Sequence, residues 1–386
     1  MAAAATLGTT YAADAAAPIK IAAVVPLAGA FAASGQDMLA GAKLAAADIN
    51  AAGGIKSIGG RHIEIVPADA GESPEAAVTA ARRALNGQTV AALGSWYSAL
   101  SLADTVVAEQ KKIPWLTGSI ADKIVQRGFK YVHQISAGSA ASGQGLIDSI
   151  VRAGGGKDMR LALITDNNVA NVEVKKYIRG KLSAKPVSDQ TWTPPLADAT
   201  PVVSAVMQAN PNVIYLGATS TSDQTLVIKQ LAAQGSKALI LLGASSGANP
   251  VFLKTVGAKG MEGVLVVTGV SFPGKGSAAI DKRYASATGR TFMDCEAMTG
   301  YMNVTIIARG LEKAAKADPK ALNAALKTLD LVNDPVLSLL PNGNHFKFEP
   351  DGHRAGTAVE LVQWQNGRPL VVYPPDVANG TLKHKA

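Results

Sequence analysis

From residue 19 onward, short unbroken apolar runs alternate with longer stretches in which apolar positions recur every three or four residues. The first texture marks buried strands and the second marks amphipathic helices, so their alternation predicts βαβ units and parallel sheets. Residues 19–25 (IKIAAVV) read as a strand, and 36–52 as a helix stopped by Gly53 and Gly54. A strand over 61–67 follows, then a helix over 74–85 with Ser73 as its N-cap and Pro74 at its first position. Strand 90–93, helix 98–110, strand 114–117 and an extended piece at 131–135 complete a first unit.

A second series begins with helix 144–153 and strand 160–164. It continues through helix 172–182, strand 186–190, helix 202–209, strand 213–216, helix 223–234 and strands 238–242 and 263–267. The parse is two doubly wound units in series. Beyond 267 the texture changes to helices at 281–288, 296–317 and 319–329, then to strands around 345–348 and 358–365. These late elements are too few for a third domain. They read as the chain returning to finish both units, so that several segments join the two and form a hinge.

A length of 386 residues, 48% hydrophobic and 17% charged, supplies the apolar material for two cores. Residues 1–17, mostly small and with Asp14 the one charged side chain, read as the end of a signal peptide lacking its basic start. No later stretch holds eighteen uninterrupted apolar residues, so none is expected to span a membrane. The formal charge of +8 does not point to nucleic acid, because Lys and Arg are scattered singly and in pairs. A single Cys295 has no partner for a disulfide or a metal site and reads as a small buried hydrophobe. Neither a metal nor a cofactor is expected.

Three segments in order carry a resemblance: PIKIAAVVPLAGAFAASGQDMLAGAKLAAADINAAGGI, LGSWYSALSLADTVVAEQKKIPWLTGS and HFKFEPDGHRAGTAVELVQWQNG. Over residues 18–368 the chain resembles the branched-chain amino acid binding proteins of ABC transporters, within the type I periplasmic binding fold. That resemblance implies two α/β lobes with doubly wound parallel sheets, three crossovers and a ligand trapped between them, in the manner of a Venus flytrap. It divides the chain into 18–138 plus 270–344 as one lobe and 139–269 plus 345–386 as the other. It further implies a monomeric periplasmic protein that hands a small molecule to a membrane permease and is not an enzyme.

Ser98 lies after a predicted strand and before a predicted helix, where its hydroxyl and the backbone N–H groups of Leu100 and Ser101 can face one anion. The resemblance places the family's carboxylate-holding serine at Ser98. It leaves Ser119 and Ala121 as alternatives for the second such position. Where amino acid binders carry a glutamate for the ligand ammonium this sequence has Ser245, and where they carry a helping aspartate it has Ala141. The family's cleft tyrosines fall near Val169 and Thr219, and its disulfide positions are occupied by Glu72 and Tyr97.

A buried ammonium without an acidic partner is costly, so the carboxylate end of the site is expected to be kept and the amine end lost. Phe31, Trp96, Tyr97 and Phe272 are expected as aromatic walls, with Asn168 and Thr219 as neutral hydrogen-bonding groups. Ser34 and Ala99 complete the expected ligand-facing set. The favoured ligand is an aromatic acid or aryl 2-oxo acid, with a branched-chain amino acid or amide as the alternative.

Two other classes have some support. Gly243, Ser245 and Gly247 spell the GxSxG of a nucleophile elbow, with His345 and His353 downstream. A cytoplasmic ligand-sensing regulator on the same fold would dispense with the leader. The loop PLAGAFAASG lacks the GxGxxG spacing of a dinucleotide site.

Overall fold

The computed structural model describes residues 17–152, 158–182, 185–272, 277–341 and 343–383. The leader reading therefore lies, Ala17 apart, outside the described residues. The first run of elements is β1 (Ile19–Val25), α1 (Ala32–Ala51), β2 (Ile63–Asp69), α2 (Pro74–Ala84), β3 (Thr89–Gly94), α3 (Ser98–Lys111), β4 (Trp115–Thr117) and β5 (Val132–Gln134). The second is α4 (Ser139–Arg152), β6 (Leu161–Asp166), α5 (Val169–Lys181), β7 (Ser188–Trp192), α6 (Thr200–Gln208), β8 (Val213–Gly217), α7 (Thr221–Ala233), β9 (Leu239–Leu242), α8 (Val251–Thr255), α9 (Ala258–Met261) and β10 (Leu265–Thr268). The chain ends through α10 (Ala278–Thr288), α11 (Cys295–Ala314), α12 (Pro319–Lys327), β11 (Asp330–Val332), β12 (His345–Lys347), β13 (Glu360–Gln365) and β14 (Arg368–Tyr373).

Two sheets result. The first is wholly parallel in the order β2-β1-β3-β4-β5. The second runs β14-β13-β10-β9-β8-β6-β7, parallel except where β13 lies antiparallel to β10 and to β14. Strands β3, β6 and β8, inside the sheets, are buried throughout, whereas edge strands β2 and β7 are largely exposed or half-buried. That is the burial pattern of parallel sheets covered by helices on both faces.

The sheet order shows where the chain crosses. It leaves the first sheet after β5, returns after β10 to build α10 to α12, and crosses last to reach β13. The last crossing corrects the sequence reading, which moved residues 345 onward to the second lobe. Instead β12 pairs antiparallel with β11, and the amide of Gln134 in β5 donates to Gly352 at 2.8 Å while that of Arg354 returns a bond to Gln134 at 2.9 Å. Phe346 and Phe348, both buried, stack edge to face at 4.9 Å. The turn beyond them is tied to β5 through Gly352 and Arg354. Residues 355–359 then carry the chain across.

Helix α11 fixes the first lobe. Asp294 caps it by accepting from the Ala297 amide at 2.9 Å, and sixteen of its twenty residues are buried. It crosses α1 in backbone contact: a Cβ on Gly300 would stand 2.0 Å from the Met38 carbonyl oxygen, and one on Gly41 would stand 1.9 Å from that of Ala297. Neither carbonyl can yield without moving a helix. We therefore expect Gly300→Ala to lower the unfolding free energy by about 1–3 kcal/mol or more through overpacking. Gly180→Ala, on exposed backbone with nothing within 4 Å, should leave stability unchanged or slightly raised. Urea titration of both variants checks this.

Candidate functional site

The carboxyl edges of the two sheets face one cleft, lined from the first lobe by Trp96, Ser98, Gly118, Ile120 and α11, and from the second by Asn168, Asn171, Thr219 and the 243–246 turn. Its free space, mouth included, is about 850 Å³. Its walls are mostly apolar, with Ile135, Val267, Val270, Met302 and Val359 among them. Among the described residues that line it, Glu296 supplies the one carboxyl group, and there is no Lys, Arg or His.

The first-lobe loop is held from beneath. The Ser95 carbonyl accepts from the hydroxyls of Thr117 (2.8 Å), Ser119 (2.8 Å) and Ser101 (3.0 Å), and the Ser95 hydroxyl accepts from the Tyr97 amide at 2.8 Å. This aims Ser98 and Trp96 into the cleft. Ser98 is the first residue of α3, and its hydroxyl accepts from the Ala121 amide at 3.4 Å. The amides of Leu100 and Ser101, expected to face an anion, both bond the Tyr97 carbonyl at 3.1 Å. The amides of Ser98 and Ala99 are the ones in this turn with no helical carbonyl four residues back. The indole N–H of Trp96 is buried without a partner.

The second-lobe wall is organised by Asp166. Its carboxylate accepts from the amides of Asn168 (3.0 Å) and Thr219 (2.7 Å) and from the Asn171 side chain (2.6 Å). Burial raises its pKa, and those hydrogen bonds oppose the shift. Thr219 Oγ1 accepts from Asn168 at 2.9 Å and from Asn171 at 3.3 Å, and its own hydroxyl bonds the Asp166 carboxylate. Asn168 Oδ1 is buried without a partner. Ser245 Oγ accepts from the Gly269 amide at 3.4 Å.

Trp96, Ser98, Asn168, Thr219 and Ser245 are thus brought together, and the other expected residues are not. Phe31 and Tyr97 stack on each other at 4.5 Å within the first-lobe core, where burial, ahead of the Asp166 and Asp223 charges, pushes the Tyr97 phenol up to about 12. Phe272 packs on Phe292 at 6.5 Å, and Ser34 is buried in α1. The Ser119 side chain turns into the hydroxyl network, so its neighbours Gly118 and Ile120 line the cleft instead. Neither Ala99 nor Ala121 is among the residues that line it. Ser245 meets neither candidate histidine: His345 pairs with Asp330 and His353 with Asp351 in exposed positions. Glu72 accepts from the Ala30 amide. Glu72 and Tyr97, at the family's disulfide positions, therefore both hold the 29–31 turn.

The sequence reading missed Glu296, in the first turn of α11. Its Oε2 accepts from the Cys295 thiol at 2.7 Å. Around it stand Asp294 and Cys295 on α11, Asp37 on α1, Tyr284 on α10, Arg290 just after α10, and Asn249 from the second lobe. Arg290 pairs with Asp37 at 2.7 Å, and Asn249 donates to Asp37 at 3.2 Å and to Asp294. Burial chiefly raises the Glu296 pKa to about 7, with the Asp37 charge adding and the thiol bond opposing. Asp294 is pushed well above the usual range by burial, Asp37 and Glu296.

Asn249 thereby ties the lobes on one side of the cleft. On the other side Glu173 of α5 accepts from the Asp122 amide at 3.2 Å and from the Ser139 hydroxyl at 2.7 Å, while Asp122 accepts from the first amide of α4 at 2.9 Å. The two lobes are therefore closed on each other.

The profile of the family described as periplasmic binding protein matches residues 18–369. The Leu/Ile/Val-binding protein homolog 7 of Brucella abortus is 25% identical over 391 residues, covering 96% of this chain and 95% of its own. A branched-chain amino acid substrate-binding protein of Streptococcus pneumoniae, solved with isoleucine, superposes with a TM-score of 0.79 at 18% identity, over 92% of this chain and 100% of its own. An ABC transporter solute-binding protein of R. palustris, solved with benzoate, does so at 0.77 and 18%, over 92% and 95%.

The raised pKa of Glu296 sets a pH signature. Below about 4.5 the carboxyl is protonated in both states; between there and about 7 the unfolded chain ionises while the fold retains the proton, so stability falls as pH rises, then levels off. Glu296→Gln removes this dependence. Its unfolding free energy relative to wild type should climb between pH 5 and 7, by up to about 1.4 kcal/mol per unit, and flatten above. Urea titrations at pH 5, 6, 7 and 8 check this, and a constant difference would contradict it.

Proposed function

The chain belongs to the periplasmic binding protein family, and from that premise we propose that it captures a small monocarboxylate between its lobes and delivers it, as a monomer outside the cytoplasm, to an ABC transporter permease. Within that class we favour an aromatic acid or aryl 2-oxo acid. The observation that carries the reading is a cluster of donors without cations. The Trp96 indole N–H, the Ser98 hydroxyl and the first amides of α3 can converge on a carboxylate, at a helix N-terminus that favours negative charge. The flat face of Trp96 and the aliphatic walls suit a ring.

Among the described residues that line the cleft the one acid is Glu296, and Ser245 stands where the resemblance places the partner of an α-ammonium. Ser245 can donate to a keto or hydroxyl oxygen at that end. A structural neighbour that holds benzoate puts such a ligand within the range of the fold. Glu296 supports a second reading, a branched-chain amino acid or amide whose nitrogen it would accept; the isoleucine-bound neighbour is in keeping with that one.

Phenylpyruvate and phenylalanine share a ring and a carboxylate and differ at the α-substituent, so they separate the two readings. A ligand at a hundred times its Kd adds about 2.7 kcal/mol of stability, which a thermal melt resolves. Wild type should be stabilised by phenylpyruvate and not by phenylalanine. Ser98→Ala should lose most of that shift, because a hydrogen bond to a charged group contributes about 1.5–3 kcal/mol. Stabilisation by phenylalanine alone would establish the amino acid reading in place of ours.

A further inference from the structure

The donor cluster accounts for one end of a ligand and leaves Glu296 unexplained. A carboxyl group in a cleft that lacks any cation among its described lining residues is costly to bury. Within the protein the Glu296 carboxyl group meets the Cys295 thiol, a weak donor, its own backbone amide and the Asp294 side chain, while the Asp37 charge stands nearby. An apolar residue in this position would pack the helix terminus without that cost.

Its position along α11 separates it from the anion site. The Thr299 methyl lies against Gly118, where an added Cβ would be 2.4 Å away, so Thr299 borders the loops that carry Ser98 and Ile120. Glu296 is three residues earlier, about 4.5 Å further along the helix axis. There α11 begins, and Asn249 reaches across from the second lobe to the adjoining Asp294. Apolar Ile135, Val270 and Met302 share the cleft with the two polar groups.

We propose that Glu296 is a second ligand-contacting, specificity-determining residue, which accepts a hydrogen bond from an O–H or N–H group on the part of the ligand distal to its carboxylate. The cleft then selects acids that carry a hydroxyl or amino substituent on the ring over unsubstituted ones. This rests on the carboxylate reading above. A carboxyl acceptor buried among apolar walls rewards a matching donor and rejects a ligand that leaves it unpaired.

Calorimetry with benzoate, 3-hydroxybenzoate, 4-hydroxybenzoate and 4-aminobenzoate tests it, on wild type, Glu296→Gln and Glu296→Leu. The best donor-bearing acid should bind wild type at least ten-fold more tightly than benzoate, and the hydroxy and amino arms show which donor is preferred. Glu296→Gln, a neutral acceptor of the same shape, should shrink that gap to a few-fold, and Glu296→Leu should abolish or reverse it while benzoate still binds. Retained benzoate binding also shows that the variants fold. Equal affinity of wild type for all four acids, or a gap that persists in both variants, overturns the role of Glu296 and leaves the carboxylate reading standing. If wild type binds none of the four and binds phenylalanine or leucine, the carboxylate reading fails and this inference fails with it.

Discussion

The closed cleft buries polar atoms that the protein itself does not pair. The Trp96 indole N–H and Asn168 Oδ1 have no partner, and Glu296 is a buried carboxyl group with no cation beside it in the described lining of the cleft. Leaving such groups dry and unpaired costs about 1–3 kcal/mol each. Two outcomes relieve that cost: opening the lobes to water, or closing them on a molecule that supplies the missing partners. A binding protein of this kind is therefore built to be incomplete. Its closed form is stabilised by what the ligand adds, and selectivity follows from which partners must be added.

The rest of the architecture makes such a site possible. Parallel strands direct all their carboxyl ends, and the helix N-termini that follow, to one edge of a sheet. Two sheets joined by three crossings can face those edges toward each other. Near the crossings the contacts are strong and internal. The Arg354 guanidinium donates to the Ile135 carbonyl at 2.8 Å, linking the first and last crossings, and Ser271 donates to Glu360 at 2.8 Å. Away from them the ties run through Asn249, Glu173 and Arg368, which pairs with Asp281 of α10 at 3.4 Å. Motion about the crossings breaks the second set and spares the first, which is how a hinge with rigid lobes behaves.

Local chemistry made much of this readable in the sequence. Ser73 and Pro74 start α2 as their residue types dictate, and the short apolar runs of β1, β3 and β8, too short for helices, read as buried strands. Ser98 was readable as a cleft residue because a strand-to-helix reversal forces that position to the sheet edge. β14 escaped notice although Asn366 and Gly367, at φ of 53° and 77°, form the turn that a hairpin demands. The aromatic residues misled for a physical reason: a loop backbone turns a ring inward or outward according to torsions that composition does not reveal. Phe31, Tyr97 and Phe272 turned inward. Glu296 was hidden because the rotation of α11 relative to the cleft is set by its glycine contact with α1, more than 250 residues away in sequence.

The central claim is that a ligand closes two lobes by completing a site that neither lobe completes alone. Small-angle scattering measures it directly, on protein without ligand and on protein saturated with phenylpyruvate, with saturation verified by calorimetry. The radius of gyration should fall on binding, because an open ensemble is drawn into the closed form. Verified binding with an unchanged radius of gyration would contradict the account.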